Sequence, residues 1–112
     1  MKKILILTTS IIIAVSCANN DKPTGLLDKD KMVSMMVDIH LVEGIASSLP
    51  IPYDSSQKVY PYLEQHVFEK HGVPDSVYIQ SLQYYLRDAN VMEELYSRTI
   101  DSLTVKQNIG EQ

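Results

Sequence analysis

The chain has 112 residues with 14 acidic and 10 basic side chains, a formal net charge of −4, and 45% hydrophobic residues. This length suits one small domain and excludes a large two-domain enzyme built on a cofactor fold. The acidic balance argues against nucleic acid as a partner, because affinity for a polyanion depends mainly on Lys and Arg neutralising phosphates.

The amino terminus has the layout of a secretory signal. Two lysines precede a mostly apolar run at residues 4–15, which is shorter than the ~20 residues that a membrane-spanning helix needs. Ala14-Val15-Ser16 then leads to Cys17, the only cysteine of the chain, and this stretch resembles the lipobox of bacterial lipoproteins. Residues 1–16 are therefore predicted to be a cleaved signal peptide, and Cys17 to carry the acyl chains that anchor the protein to a membrane.

Residues 17–27 are predicted to form a flexible tether, because they are rich in polar residues and include Pro and Gly. Only Asp21 is acidic close behind Cys17, whereas an acidic run there directs some such lipoproteins to the cell surface. The expected location is therefore the outer membrane, facing the periplasm. Cleavage would remove two lysines and change the formal charge from −4 to −6, so that acyl chains rather than attraction to anionic lipid would hold the protein.

Residues 28–107 are predicted to form a helical domain, since their apolar residues recur at steps of three and four. The first helix spans residues 29–49 after Asp28 as N-cap. Its apolar face comprises Met32, Met35, Met36, Ile39, Val42 and Ala46. Pro61 interrupts the next pattern, so the second helix is expected to begin near Tyr60 or to kink there, and to end at Gly72.

The third and fourth helices follow short connections. Pro74 and Asp75 open the third helix, whose buried face is predicted to be Tyr78, Leu82, Tyr85 and Leu86. The fourth helix runs from about residue 91 to 106, with a buried face of Met92, Leu95, Tyr96, Thr99 and Leu103. Residues 108–112 are expected to be a disordered tail. The predicted fold is all-α, a small bundle or stacked hairpins of four helices.

Glu43 is the polar residue that the pattern singles out. On a helical wheel it lies about 20° from Met32, inside the apolar face of the first helix. A buried carboxylate needs a partner, and His40 on the same helix or Tyr85 on another could supply it. Such a carboxylate could act as a base or bind a ligand, or it could fix the helix register, and the sequence leaves both open.

No metal site, cofactor or small-molecule substrate is predicted. Asp38 and His40 point about 160° apart on a regular helix and cannot share one ion. His66 and His71 are five residues apart, whereas zinc-binding pairs on a helix are typically separated by four. The sequence also contains no recognisable nucleophile with its base and no paired carboxylates, so no catalytic residue is assigned.

Four segments, in order, resemble the DUF4296 family of Bacteroidota lipoproteins. They are residues 36–44 (MVDIHLVEG), 67–73 (VFEKHGV), 81–85 (SLQYY) and 94–96 (ELY). The resemblance covers about residues 27–105 and implies a lipid-anchored helical envelope protein, without implying an activity. The polar residues that match the family pattern, with a structural or binding role, are Asp38, His40, Glu43, His71, Ser81 and Tyr85.

Three functions are compatible with these features. The first is a non-enzymatic accessory or scaffold subunit of an envelope protein assembly, with an unidentified protein partner. The second is a periplasmic chaperone-like module that binds outer-membrane clients through an exposed apolar groove. The third is an enzyme that uses His40 and Glu43.

Overall fold

The computed structural model describes residues 22–110, which form four α-helices and, within that range, no β-strand. The helices are α1 (Lys29–Ser48), α2 (Tyr53–His71), α3 (Asp75–Tyr85) and α4 (Ala89–Gly110). The predicted all-α fold of four helices is confirmed. The predicted signal peptide, Cys17 and the first part of the predicted tether lie outside the described residues.

Helix α1 is the centre of the domain, because both α2 and α4 pack against it. Asp28 caps its start as predicted, since the Asp28 carboxylate accepts a hydrogen bond of 2.7 Å from the Lys31 amide. Helices α1 and α4 run parallel. Lys29 pairs with Glu94 near their starts, Met36 contacts Thr99 farther along, and Asp38 pairs with Lys106 farther still. The buried core comprises Met32, Val33, Met35, Met36, Val37, Val73, Tyr78, Tyr85, Met92 and Leu95.

Helix α2 begins at Tyr53, seven residues before the predicted start at Tyr60, and continues through Pro61. The predicted start near Tyr60 was wrong because the local cost of an internal proline, about 3 kcal/mol, was not weighed against packing. The packing of α2 on α1 offsets the cost of the internal proline. The first turns of α2 lie against the end of α1, where Ser56 and Ala46 are both buried.

Glycine and proline set the connection from α2 to α3 as predicted. Gly72 has φ of 64°, in the left-handed region that favours glycine, and its amide bonds to the Glu69 carbonyl. The Val73 amide bonds to the Phe68 carbonyl, which completes a Schellman motif. Pro74 then precedes the first residue of α3.

Two apolar side chains predicted to be buried are exposed. Leu86 is 56% exposed because α3 ends at Tyr85 and the chain turns away there. Tyr96 is 48% exposed because α4 packs mainly on α1, and this contact buries the narrow stripe that includes Leu95 and Thr99. Helix α4 also continues to Gly110, so that residues 108–110, predicted to be disordered, are helical.

The second half of α1 is covered on one side only. Lys106 is the last α4 side chain bonded to α1, and it reaches α1 at Asp38. Beyond that point Ala46 is the only buried residue of α1, while Leu41 and Ile45 are 38% and 51% exposed. The second half of α1 therefore presents apolar side chains to solvent.

Candidate functional site

Asp38 is the only buried carboxylate among the residues that the structure describes, with its side chain 11% exposed. Its Oδ2 atom lies 2.9 Å from Lys70 Nζ and 2.7 Å from His71 Nε2, both at the end of α2. Its Oδ1 atom lies 3.5 Å from Lys106 Nζ on α4. One carboxylate therefore connects three helices, and we call these four residues the Asp38 cluster.

Two opposing effects act on the Asp38 carboxyl. Burial alone would raise its pKa. The hydrogen bonds from Lys70 and His71, with the positive charges of Lys70 and Lys106, outweigh burial and lower the pKa below its ordinary value. Asp38 is therefore ionised at neutral pH, and the cluster has two ammonium groups for one carboxylate.

Two of the four residues of the Asp38 cluster could be recognised from the sequence. Asp38 and His71 were both noted as polar residues of the family pattern, but nothing placed them together. Lys70 and Lys106 were missed entirely, because they lie 32 and 68 residues from Asp38. Only the crossing of α1 with α2 and α4 brings these side chains together.

Ser81 and Tyr85 on α3 hold the backbone that leads into α1. Ser81 Oγ accepts a hydrogen bond of 3.1 Å from the Leu27 amide and donates one of 2.8 Å to the Val77 carbonyl. Tyr85 Oη donates a hydrogen bond of 2.7 Å to the Leu27 carbonyl. Both polar groups of the Leu27 peptide backbone are therefore satisfied by one face of α3, which docks the start of α1 on that helix.

Glu43 is not buried, contrary to the prediction. Its side chain is 58% exposed and its Oε2 lies 3.2 Å from His40 Nδ1, so one of the two predicted partners is present. Tyr85 is not the other, since its hydroxyl bonds to Leu27. The prediction of burial was wrong because Glu43 lies in the second half of α1, where Ala46 is the only residue after Asp38 that packing buries.

Two of the clefts in the described part of the chain are lined largely by residues 61–70 of α2. The larger, about 640 Å³, lies between α2 and the α2–α3 connection. The smaller, about 300 Å³, lies between α1 and α2 beside Asp38, and we call it the α1–α2 cleft. Its apolar lining consists of Leu41, Val42, Leu63 and Val67. Neither cleft is lined by His40 or Glu43.

Acidic and apolar side chains share the larger cleft. Glu64 and Glu69 lie there with Phe68, whose ring centroid is 5.7 Å from that of Tyr78. Burial raises the pKa of Tyr78 to about 12, with smaller contributions from neighbouring Tyr96 and Glu64. Tyr78 therefore remains a neutral core residue beside this cleft.

Neither a membrane-spanning helix nor a cluster able to hold a metal ion occurs among the residues that the structure describes. None of the helices there has the length and apolar character to cross a bilayer. In residues 22–110, His, Asp and Glu side chains do not come together in groups of three or more suited to a metal.

Comparison with known families decides the assignment. The model described as "Domain of unknown function (DUF4296)" matches residues 23–109. The chain belongs to the DUF4296 family. The match includes Leu27 and all four helices except the last residue of α4. Searches of curated proteins and of solved structures found no match.

In this DUF4296 domain the polar residues noted from the sequence separate into three groups. Asp38 and His71 belong to the Asp38 cluster, Ser81 and Tyr85 bind the Leu27 backbone, and the pair on the second half of α1 is exposed. The first two groups connect helices. Four of the six residues therefore make contacts that hold the fold together.

Removing the contacts to Leu27 should loosen the start of α1. We expect Ser81→Ala and Tyr85→Phe each to lower the free energy of unfolding by about 1 kcal/mol, because each removes one hydrogen bond. Urea denaturation measures this change, and amide hydrogen exchange should show faster exchange at Leu27 in Ser81→Ala. Tyr62→Phe is the matched control, since Tyr62 is 72% exposed. Unchanged exchange at Leu27 would contradict the assigned role of Ser81.

Proposed function

We propose that this DUF4296 protein is a lipid-anchored envelope protein that serves as a non-enzymatic accessory or scaffold subunit of a protein assembly. Its anchor is Cys17, on the periplasmic face of the outer membrane. The basic start, the short apolar run and the single cysteine of the sequence support this anchoring.

The observation that carries the proposed subunit role is the apolar surface of the α1–α2 hairpin. Leu41, Ile45 and Ile51 are 38%, 51% and 38% exposed, and Tyr53 and Tyr62 are more than 70% exposed. Exposed apolar side chains that cluster in one region favour protein binding, and tyrosine is enriched at protein interfaces. The hairpin is thus the surface by which the protein would contact its partner.

The contacts of the polar residues in the family pattern support a structural role for most of them. Asp38 and His71 are bonded to each other, and both hydroxyl groups on α3 bond to backbone. His40 and Glu43 form an exposed pair outside both clefts. The polar residues that a hydrolase could use are thus either engaged in the fold or away from a binding cleft.

The α1–α2 cleft also favours a second candidate, the chaperone-like module. Four apolar side chains line it, as a site for apolar client segments requires. Its volume of about 300 Å³ accommodates only a few side chains. This size favours one defined partner over many unfolded clients.

Affinity purification of the full tagged chain from detergent-solubilised membranes tests the proposal. We expect one protein to co-purify in a fixed ratio with the wild type and to be lost with Ile45→Glu, because a charge replaces an exposed apolar contact. Gln80→Glu, at an exposed position of α3, is the matched control and should retain the partner. Cys17→Ser should move the protein out of the membrane fraction.

Each alternative gives a different result. Many proteins in low and variable amounts would favour the chaperone-like module. Absence of any partner, or equal loss with Ile45→Glu and Gln80→Glu, would contradict the subunit role. Membrane retention of Cys17→Ser would contradict the lipid anchor.

A further inference from the structure

The α1–α2 cleft has apolar walls and a positively charged rim. Leu41 and Val42 of α1 face Leu63 and Val67 of α2 across it. Lys70 lies at its edge, where it pairs with the Asp38 carboxylate, and the Lys70 side chain is 66% exposed. Lys106 of α4 approaches the same Asp38 carboxylate, and its side chain is 51% exposed. Apolar and cationic groups are therefore adjacent on one surface.

The positive charge of this rim is not balanced by the acidic groups around it. Lys70 and Lys106 share the single carboxylate of Asp38. The Glu69 carboxylate lies 3.2 Å from Gln65 Nε2 and 3.5 Å from Nδ1 of His66, which also lines the cleft, and it is not bonded to either lysine. The Asp38 cluster therefore has one ammonium group more than its carboxylate can neutralise, on a chain whose formal net charge is −4.

The shape of the surface favours a segment of protein as the occupant. The cleft is open to solvent, and Ile45 extends the apolar side of α1 one turn beyond Leu41, with 51% exposure. An elongated surface of this kind fits the apolar face of a helix, with side chains spaced three and four residues apart. An enclosed pocket would be expected for a single acyl chain.

We propose that the α1–α2 cleft binds an amphipathic helical segment of the partner protein that carries acidic residues beside its apolar face. The apolar side chains of the segment enter between Leu41 and Leu63, and its carboxylates pair with Lys70 and Lys106. This inference rests on the proposed function and specifies the chemistry of the partner.

Two synthetic peptides test the inference with the full chain in nanodiscs of zwitterionic lipid. Both are amphipathic helices with the same leucines, and they differ only in glutamate or lysine at the flanking positions. We expect the acidic peptide to bind about fivefold more tightly by fluorescence anisotropy, because two partly exposed ion pairs each contribute modestly. This preference should decrease as salt is raised.

Charge variants locate the binding site. Lys106→Gln and Lys70→Gln should each reduce the preference for the acidic peptide, whereas Lys58→Gln, an exposed lysine near the other end of α2, should leave it unchanged. Leu41→Ser should weaken binding of both peptides. Because Lys70 also contacts Asp38, thermal melting of each variant shows whether the fold is retained, and Lys106→Gln provides an independent variant.

Three results would overturn the inference. They are equal binding of both peptides, tighter binding of the basic peptide, and displacement of the acidic peptide by dodecanoate at submicellar concentration, which would indicate a lipid site. If the peptide experiment fails but a partner still co-purifies and is lost with Ile45→Glu, the proposed function stands and only the cleft inference is wrong. Selective peptide binding without a cellular partner would support the cleft and contradict the subunit role.

Discussion

Leu95→Ala is expected to lower the free energy of unfolding by about 3 kcal/mol. Leu95 is fully buried on α4 and belongs to the same core cluster as Met32 and Met35 of α1, which are also fully buried. Truncation removes apolar contacts and leaves a cavity, because the helices around the site can relax only partly.

Urea denaturation at neutral pH measures this loss, and Ile100→Ala is the matched control. Ile100 lies on the same helix but is 59% exposed, so its truncation should change stability by less than about 0.5 kcal/mol. A small domain has a total stability of about 5–15 kcal/mol, so that Leu95→Ala removes a large fraction of it. Equal effects of the two substitutions would contradict the packing of α4 on α1.

Asp38→Asn is expected to lower the free energy of unfolding by about 2 kcal/mol at pH 7. The variant keeps the shape of the side chain but removes the charge that Lys70 and Lys106 share and to which His71 is bonded. Breaking a fully buried ion pair costs about 3–5 kcal/mol. The smaller value is expected because both lysines reach solvent and can be hydrated when the carboxylate is removed.

The pH dependence of the free energy of unfolding, compared between wild type and Asp38→Asn, reports the contribution of the Asp38 carboxylate. The pKa of its carboxyl is lower in the folded protein than the ordinary value of 3.8, so that its stabilising contribution is fully present above that value. The contribution is lost as pH falls from 3.8 through the lower pKa of the folded state. The stability difference between wild type and Asp38→Asn should therefore shrink as pH falls below 4.

Denaturation of both proteins at several pH values checks this result. Asp101→Asn is the matched control, because Asp101 is exposed on α4 and its substitution should change stability by less than about 0.5 kcal/mol. A stability difference that stayed constant down to pH 2 would contradict the role of the Asp38 carboxylate as the charged centre of the cluster.

The local features of this fold could be predicted from the sequence because they depend on residues close together in the chain. Asp28 caps α1 and Gly72 ends α2 as expected, and the apolar spacing of Met32, Met35 and Met36 marks the buried face of α1. Each of these features depends on backbone geometry or on the period of one helix.

The features that depend on how far one helix covers another could not be predicted. The apolar pattern of α1 continues through Glu43, but after Asp38 only Ala46 of α1 is buried, and Glu43 is exposed. Pro61 was given too much weight because the packing of the first turns of α2 on α1 is not visible in the local sequence. The Asp38 cluster likewise could not be predicted, because it depends on how α1, α2 and α4 cross, and no spacing rule relates residues on different helices.

The hydrogen bonds at Leu27 determine where mechanical load on the tether would enter the domain. A pull on the chain before Leu27 would be transmitted through its amide and carbonyl groups to Ser81 and Tyr85, before it reaches the first turn of α1. Force exerted by a membrane anchor would thus load α3 and not unwind α1 from its end. Under tension from the proposed anchor, these two hydrogen bonds would have to break before force reached the end of the central helix, on which α2 and α4 both pack.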